Sequence, residues 1–378
     1  MTAVVCLGAG ALDYPGAKGG GHTWVYLNWA LGLRALGCRV IWLESVPPRT
    51  SSDVTFERLT MLRRFLEPYG FEEFALAPSN GEPLARRLAD QCLSSADVAA
   101  GADLLLDLRH NRAPAEVDAF SRTAFVDIDP GLLQLWIEAG ETSGAAYDLY
   151  FTIGETVGTP GARFPDGGRT WIHTPPPVFL EEWTVAPSAP GAAYTTVTHL
   201  YHGTVEINGQ EFENDKRTAL LEYLDLPSHT PQRLELALCL GTDDAHDGPL
   251  FERAGWRVRD AWDLTATPQD YAAYIRTSRG EFSCAKPSCL LLENAWISDR
   301  TICYLASGKP AVVQYTGTSR FLPDAEGLFR FRTVDEAAAM LEASESDYER
   351  QSRAARALAE AHFDARKVVG RVLERALP

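Results

Sequence analysis

Short apolar runs and helical segments alternate at about 20-residue spacing through both halves of the chain, and this alternation limits the fold more than any other feature. A run that is apolar at every position suits a parallel strand covered on both faces, and the helix between two such strands is the crossover that parallel pairing requires. In the first half the runs are residues 3–7, 39–44, 101–107, 123–129, 147–153 and 170–173; in the second they are 194–199, 234–240, 279–286 and 311–313, with another starting at Trp256. Between the halves, Thr174-Pro175-Pro176-Pro177 through Pro190-Gly191 is proline-rich and has no periodicity, which reads as a semi-rigid linker. At 378 residues the chain exceeds one ordinary core. The expectation is α/β: two Rossmann-like, doubly wound parallel-sheet domains facing a cleft. Their limits are placed at 1–185 and 186–347, with 348–378 a helix pair packing back on the first domain.

The charge balance narrows the partners. With 35 Lys and Arg against 51 Asp and Glu, the net charge is −16. Neither duplex nucleic acid nor an anionic membrane surface would meet the basic face it needs, so an anionic ligand has to be held by a local pocket. No apolar run is as long as a membrane span. The opening Met-Thr-Ala-Val-Val-Cys reads as a first strand, not a signal peptide. Seven scattered cysteines, mostly inside apolar runs, fit the buried thiols of a cytoplasmic protein.

Residues 293–314 carry the densest local pattern. Ser298 and Asp299 are helix N-cap residues, Ile302, Cys303, Leu305 and Ala306 are apolar at helical spacing, Gly308 ends the helix, and a buried strand follows Pro310. A helix that starts at the edge of a parallel sheet offers free N–H groups and a partial positive charge, which suits a diphosphate. Arg300 in its first turn is poorly placed for the helix dipole and well placed for a phosphate.

In the first half, residues 8–22 hold six glycines and end in Lys18-Gly19-Gly20-Gly21-His22; a helix is expected over 23–36. Trp24, Tyr26 and Trp29 on it serve either the core or an apolar pocket. Asp107, Asp127 and Asp129 close buried strands, where ligands of open parallel sheets bind, and so point to the same crevice as His22. A buried Asp accepting one ring N–H would fix the tautomer of His22 and raise its basicity. Residues 53–100 read as helices with polar joints, and the acidic loop 241–248 as solvated surface. Asp127-Ile128-Asp129 is a poor metal pair in this position, and His199 and His202 lack zinc partners.

The helix at Ser298 with Ala306-x-Gly308-x-Pro310, Val312-Val313 and the loop Thr316-Gly317 is similar to the donor-binding segment of GT-B-fold glycosyltransferases, where this helix receives the diphosphate of a sugar nucleotide. Gly21-His22 with Leu33-x-x-Leu36-Gly37-Cys38-Arg39-Val40 resembles the first motif of GT-B enzymes of macrolide and plant secondary metabolism. The resemblance implies donor contacts at Ser283, Lys286, Ser298, Asp299, Arg300, Thr301, Thr316 and Gly317. It implies His22 as the base that deprotonates the acceptor, oriented by Asp107 or, second, by Asp127, with no metal or other cofactor. Tyr14-Pro15-Gly16-x-x-Gly19-Gly20 also resembles retaining GT-B enzymes; there the loop's backbone N–H groups, here at Gly20 and Gly21, touch the donor phosphates and His22 is not a base.

The chain departs from both groups. Ala295 and Cys303 occupy the positions of the retaining enzymes' acidic pair, and Ala295-Trp296-Ile297 replaces the His-Gly-Gly of the other group. Inversion by direct displacement is therefore favoured over retention. The expected reaction moves a sugar from a nucleotide-diphosphate donor to a hydroxyl or amine of a small molecule such as a bacterial secondary metabolite. A nucleotide-sugar epimerase on the same fold and a non-catalytic two-domain sugar-binding protein are the other readings. Monomer and homodimer fit equally.

Overall fold

The structure is a computed structural model that describes residues 2–377 apart from 14–18, 48, 79–82, 201–202, 208, 242–245, 323 and 325. It divides into two compact units, one of Met1–Gly158, Phe164–Phe179 and Ala365–Pro378, the other of Thr159–Arg163 and Leu180–Asp364.

The first unit is built on seven strands: β1 (Val4–Gly8), β2 (Arg39–Ser45), β3 (Phe74–Ala77), β4 (Leu104–Asp107), β5 (Thr123–Asp127), β6 (Leu149–Thr152) and β7 (Trp171–His173). They pair in parallel in the order β3-β2-β1-β4-β5-β6-β7. The order reverses between β1 and β4, and such a reversal opens a crevice at the carboxyl ends of the two strands. Gly8 pairs with Asp107 there, and a Cβ on Gly8 would stand 2.1 Å from Asp107 Oδ1. Only glycine allows that carboxylate to turn inward.

The second unit has β8 (Tyr194–Thr198), a β9 (Thr204–Ile207) and β10 (Gln210–Glu213) hairpin, then β11 (Leu234–Leu238), β12 (Arg257–Asp260), β13 (Gly280–Ser283), β14 (Ala311–Gln314) and β15 (Leu328–Phe331). Apart from the antiparallel hairpin, the strands form a parallel sheet in the order β12-β11-β8-β13-β14-β15. Its reversal lies between β8 and β13. Phe282 and Phe331 stack with ring centroids 5.2 Å apart on one face, and Tyr223 and Trp256 meet them edge-on or tilted. No helix among the described residues is long and apolar enough to cross a membrane.

Several expectations change here. The tail divides: helix Ala365–Ala376 belongs to the first unit, where Gly32 of helix Gly20–Ala35 lets it approach so closely that a Cβ would meet Val369 at 2.8 Å. Helix Tyr348–Leu358 stays with the second unit, tied by Arg356 donating to the carbonyls of Trp183 and Ala306. Pro175, Pro176, Pro177 and Val178 are buried, so this part of the expected linker is packed interior. The first helix starts at Gly20 and includes His22. Strand β3 and the β9–β10 hairpin appear where a helical region and no element were expected; four apolar residues in Phe74–Ala77 show no alternation that distinguishes strand from helix. Asp247 of the acidic loop is buried and accepts from Arg217 Nε at 2.8 Å.

Candidate functional site

In the second unit, helix Asp299–Ala306 begins just beyond the carboxyl end of β13. Ser298 caps it, its Oγ accepting from Arg300 N at 3.2 Å. The other first-turn N–H groups have no acceptor within the helix. A pocket at this end is lined by Ser283, Trp296, Ser298, Thr301 and Thr316, together with the backbone turn at Cys284 and Ala285. Four residues expected at a donor site, Ser283, Ser298, Thr301 and Thr316, thus share one pocket.

The turn before the helix is held in an unusual shape. Glu293 and Ala295 have φ of 44° and 54°, the left-handed region that side chains disfavour. Ala295 N donates to Thr316 O at 2.9 Å, Thr316 Oγ1 to Trp296 O at 2.7 Å, and Trp296 N to Asn294 Oδ1 at 3.1 Å. Gly317, at φ 127°, lies against this turn, so that a Cβ would come 2.7 Å from Glu293 O. Strain that is over-determined in this way concentrates at ligand sites.

Arg300 does not reach into the pocket. Its side chain is buried; Nε donates to Glu281 Oε1 at 2.7 Å and a terminal nitrogen to Val197 O at 2.9 Å. Burial opposes its charge, but the Glu281 carboxylate more than offsets that and holds the guanidinium above its ordinary value. Glu281, fully buried on β13, needs a counter-charge, and a side chain in the first helical turn can supply it. Asp299 sits in the same turn, where a negative charge suits the helix dipole, and does not line the pocket.

Among the described residues, Lys286 and Lys216 are cations left available to an anion, and of the two the sequence singles out Lys286 alone. Lys216 opens helix Lys216–Leu221, and Lys286 is the N-cap residue of helix Pro287–Leu292. Asn214 Oδ1 accepts from Ser288 N at 3.0 Å and so joins the two helix starts. Among the described residues neither ammonium has a hydrogen bond or ion pair. Desolvation, then the charges of Arg300 and Lys286, push Lys216 down to about 7; Cys289 and Glu281 act in the opposite direction. Crowded cations without an anion are the electrostatic signature of a binding site. In the sequence, Asn214-Asp215-Lys216 carries only a helix-start signal.

In the first unit, Gly20, Gly21 and His22 form the first turn of helix Gly20–Ala35, while residues 14–18, which hold most of the Tyr14-to-Gly20 pattern, lie outside the described residues. His22 is half-buried, with Nε2 3.4 Å from Gly10 O and 3.3 Å from the Tyr26 hydroxyl. Trp24, Tyr26 and Trp29 are core residues.

Neither Asp107 nor Asp127 orients His22. Asp107 is clamped by Arg112, whose Nε and a terminal nitrogen donate at 2.6 and 3.0 Å, and it also accepts from Tyr147 OH and Arg109 N. Asp127 accepts from Gln134 Nε2, Thr152 Oγ1 and Asp129 N, at 2.9, 2.8 and 2.9 Å. Burial pushes it up to about 7, against the pull of those hydrogen bonds. Both carboxylates brace the loops that follow their strands. The loop after β1 is held instead by Glu44, which accepts from Ala11 N, Leu12 N and Trp42 Nε1, and by Asp13, which takes two bonds from Arg109. Burial raises Glu44 to about 7. Among the described residues no cluster of three or more His, Cys, Asp or Glu side chains is placed to hold a metal.

No family model matches the chain, and no curated protein matches it. Solved structures do resemble it along its whole length. The Anabaena protein HepE with UDP and glucose has a TM-score of 0.60 at 13% identity, with 99% of each chain covered. An alpha-glucosyltransferase bound to UDP and a 13-mer DNA reaches 0.63 at 11% identity, with 100% of each chain covered. A glycosyltransferase from Rickettsia africae gives 0.56 at 12% identity, covering 99% of this chain and 98% of the other. At such identities the likeness concerns architecture, and the architecture of this chain is that of the GT-B-fold glycosyltransferases.

Proposed function

We propose that this protein is a nucleotide-sugar-dependent glycosyltransferase whose second unit binds the donor. The observation that carries the reading is the pair of uncompensated ammonium groups, Lys216 and Lys286, in the same unit as the Ser298-capped pocket. Glycosyl transfer builds negative charge on the departing diphosphate, and fixed cations with oriented N–H groups stabilise it most where water is scarce. Lys216, Lys286, Ser298 and Thr301 carry that task; Ser283, Thr316 and Gly317 shape the pocket. Structures of similar fold hold UDP or UDP-glucose, which makes a uridine nucleotide the first donor to test.

His22 is proposed as the base that takes the proton of the acceptor hydroxyl, with Tyr26 setting its ring and the displacement inverting the anomeric centre. The acceptor is proposed to be a small molecule, such as a secondary metabolite. The structures of the similar alpha-glucosyltransferase contain DNA, but a chain of net charge −16 would repel a duplex from most of its surface. The protein is proposed to act in the cytoplasm and to need no metal for diphosphate binding.

The test is calorimetric titration with UDP and UDP-glucose, then transfer assays over a panel of small hydroxylated acceptors, the product anomer being read by proton NMR. UDP binding that survives unchanged in Lys216→Ala/Lys286→Ala would overturn the donor site. Transfer that persists in His22→Ala would remove the base.

A further inference from the structure

A cavity of the second unit draws on other strands of the sheet than the donor pocket does. It occupies about 410 Å³ between the edge strand β12, helices Ala261–Leu264 and Pro268–Thr277, and the approach to β8. Its strand residues lie in the amino-terminal or middle parts of their strands: Thr195 is second in β8, Glu235 second in β11, and Arg257 and Arg259 are first and third in β12. The donor pocket gathers residues at the carboxyl ends of β13 and β14. The two cavities therefore open toward opposite ends of one parallel sheet, and the volume falls in the range of small-molecule sites.

Two guanidiniums and two carboxylates line this cavity, and they are unevenly paired. Arg257 and Arg259 alternate along β12 and so share a face. Arg257 pairs with Glu235 at 3.1 Å, and the other oxygen of that buried carboxylate accepts from Tyr274 OH at 2.7 Å. Asp270, at the rim, is engaged in capping Thr267, from whose N and Oγ1 it accepts. Arg259 is half-buried, and among the described residues it has neither hydrogen bond nor ion pair. A planar cation with five N–H donors thus faces a cavity of mixed polarity with no acceptor of its own, in a chain whose net charge is −16.

We propose that this cavity is a second ligand site, which holds the oxyanion of a small metabolite against Arg259, with Arg257 and Tyr274 beside it. A phosphate monoester and a carboxylate share the chemistry that a guanidinium recognises in its bidentate mode, and the cavity has room for the body that carries either group. The proposal does not depend on the transferase reading.

The experiment uses the full chain and two probes, inorganic phosphate and acetate, with binding followed by the unfolding midpoint and, for phosphate, by phosphorus NMR line width. Because phosphate also suits the donor pocket, every titration is repeated in Lys216→Ala/Lys286→Ala. The expected result is a phosphate or acetate dissociation constant unchanged by the double lysine variant, raised at least tenfold in Arg259→Ala and partly restored in Arg259→Lys. Arg259 lies on an edge strand, and circular dichroism verifies that its variants fold. Binding lost with the lysines and retained in Arg259→Ala assigns the anion to the donor pocket and overturns the proposal. Absence of binding of either probe overturns it as well.

Discussion

Arg300 Nε lies 2.7 Å from Glu281 Oε1 in the interior of the second unit, and the opposite carboxylate oxygen of Glu281 has no hydrogen-bond partner. The pair makes Arg300 a strut between helix Asp299–Ala306 and β13. Arg300→Ala leaves a buried carboxylate alone, and the expected loss is about 3–5 kcal/mol of stability. Adding Glu281→Gln to Arg300→Ala should recover part of it. Urea unfolding of the three variants reads this directly; an Arg300→Ala protein of normal stability that no longer binds UDP would return Arg300 to the phosphate.

Lys216 is the residue whose removal should cost donor affinity without costing stability. A charge-assisted hydrogen bond is worth about 1.5–3 kcal/mol, so Lys216→Ala is expected to weaken UDP roughly 10- to 100-fold. The pH dependence follows from its pKa. In the free protein the ammonium loses its proton near 7, below its ordinary value. A bound diphosphate favours the charged form, so binding at pH 8 takes up a proton and affinity falls as pH rises above about 7. Calorimetry in buffers of different ionisation enthalpy measures that proton, and its presence in Lys216→Ala would refute the assignment.

The fold was largely legible in the sequence because parallel strands covered on both faces are apolar at every position, as β1, β4 and β14 nearly are. The Ser298 cap was legible because its signal is local: a cap residue, a periodic run and a terminating glycine. What escaped depends on which partner each charge finds in the folded chain, and no local pattern specifies that. Arg300 and Glu281, nineteen residues apart, compete with a ligand for the same charge, and no pattern announces which will win. Asp107 was legible as a buried strand end, while Arg112 five residues later, which consumes it, carried no signal of its own. Lys216 failed to stand out for the converse reason: its importance lies in the absence of a counter-charge, and that is a property of the folded site.

Gly317 is expected to tolerate no side chain. Its φ of 127° disfavours any other residue, and an alanine Cβ would stand 2.7 Å from Glu293 O and 3.0 Å from Ala295 N. Gly317→Ala therefore has to move the turn that carries Glu293 and Ala295, at a cost of about 1–3 kcal/mol in backbone strain. Because that turn leads into Trp296 and Ser298 at the pocket, UDP affinity should fall more than the unfolding midpoint does. Equal affinity in wild type and Gly317→Ala would show that the turn does not shape the donor site.

Asp127 should make stability depend on pH in the direction opposite to a salt-bridged carboxylate. Its folded pKa is raised to about 7 by burial, against an ordinary value near 4 in the unfolded chain. Between those values the folded protein holds a proton that the unfolded chain has released. The stabilisation is complete below pH about 4 and is lost as pH rises through about 7. Glu44, also buried and raised to about 7, adds a second contribution of the same sign. Asp127→Asn removes one of the two titrating groups, so the decline in unfolding free energy between pH 5 and about 7 should become shallower by at most about 1.4 kcal/mol per pH unit. Any constant cost of the new amide beside Asp129 N shifts the curve without changing its slope. Urea unfolding at half-unit pH intervals separates the two effects, and an unchanged slope would mean that Asp127 is ionised throughout.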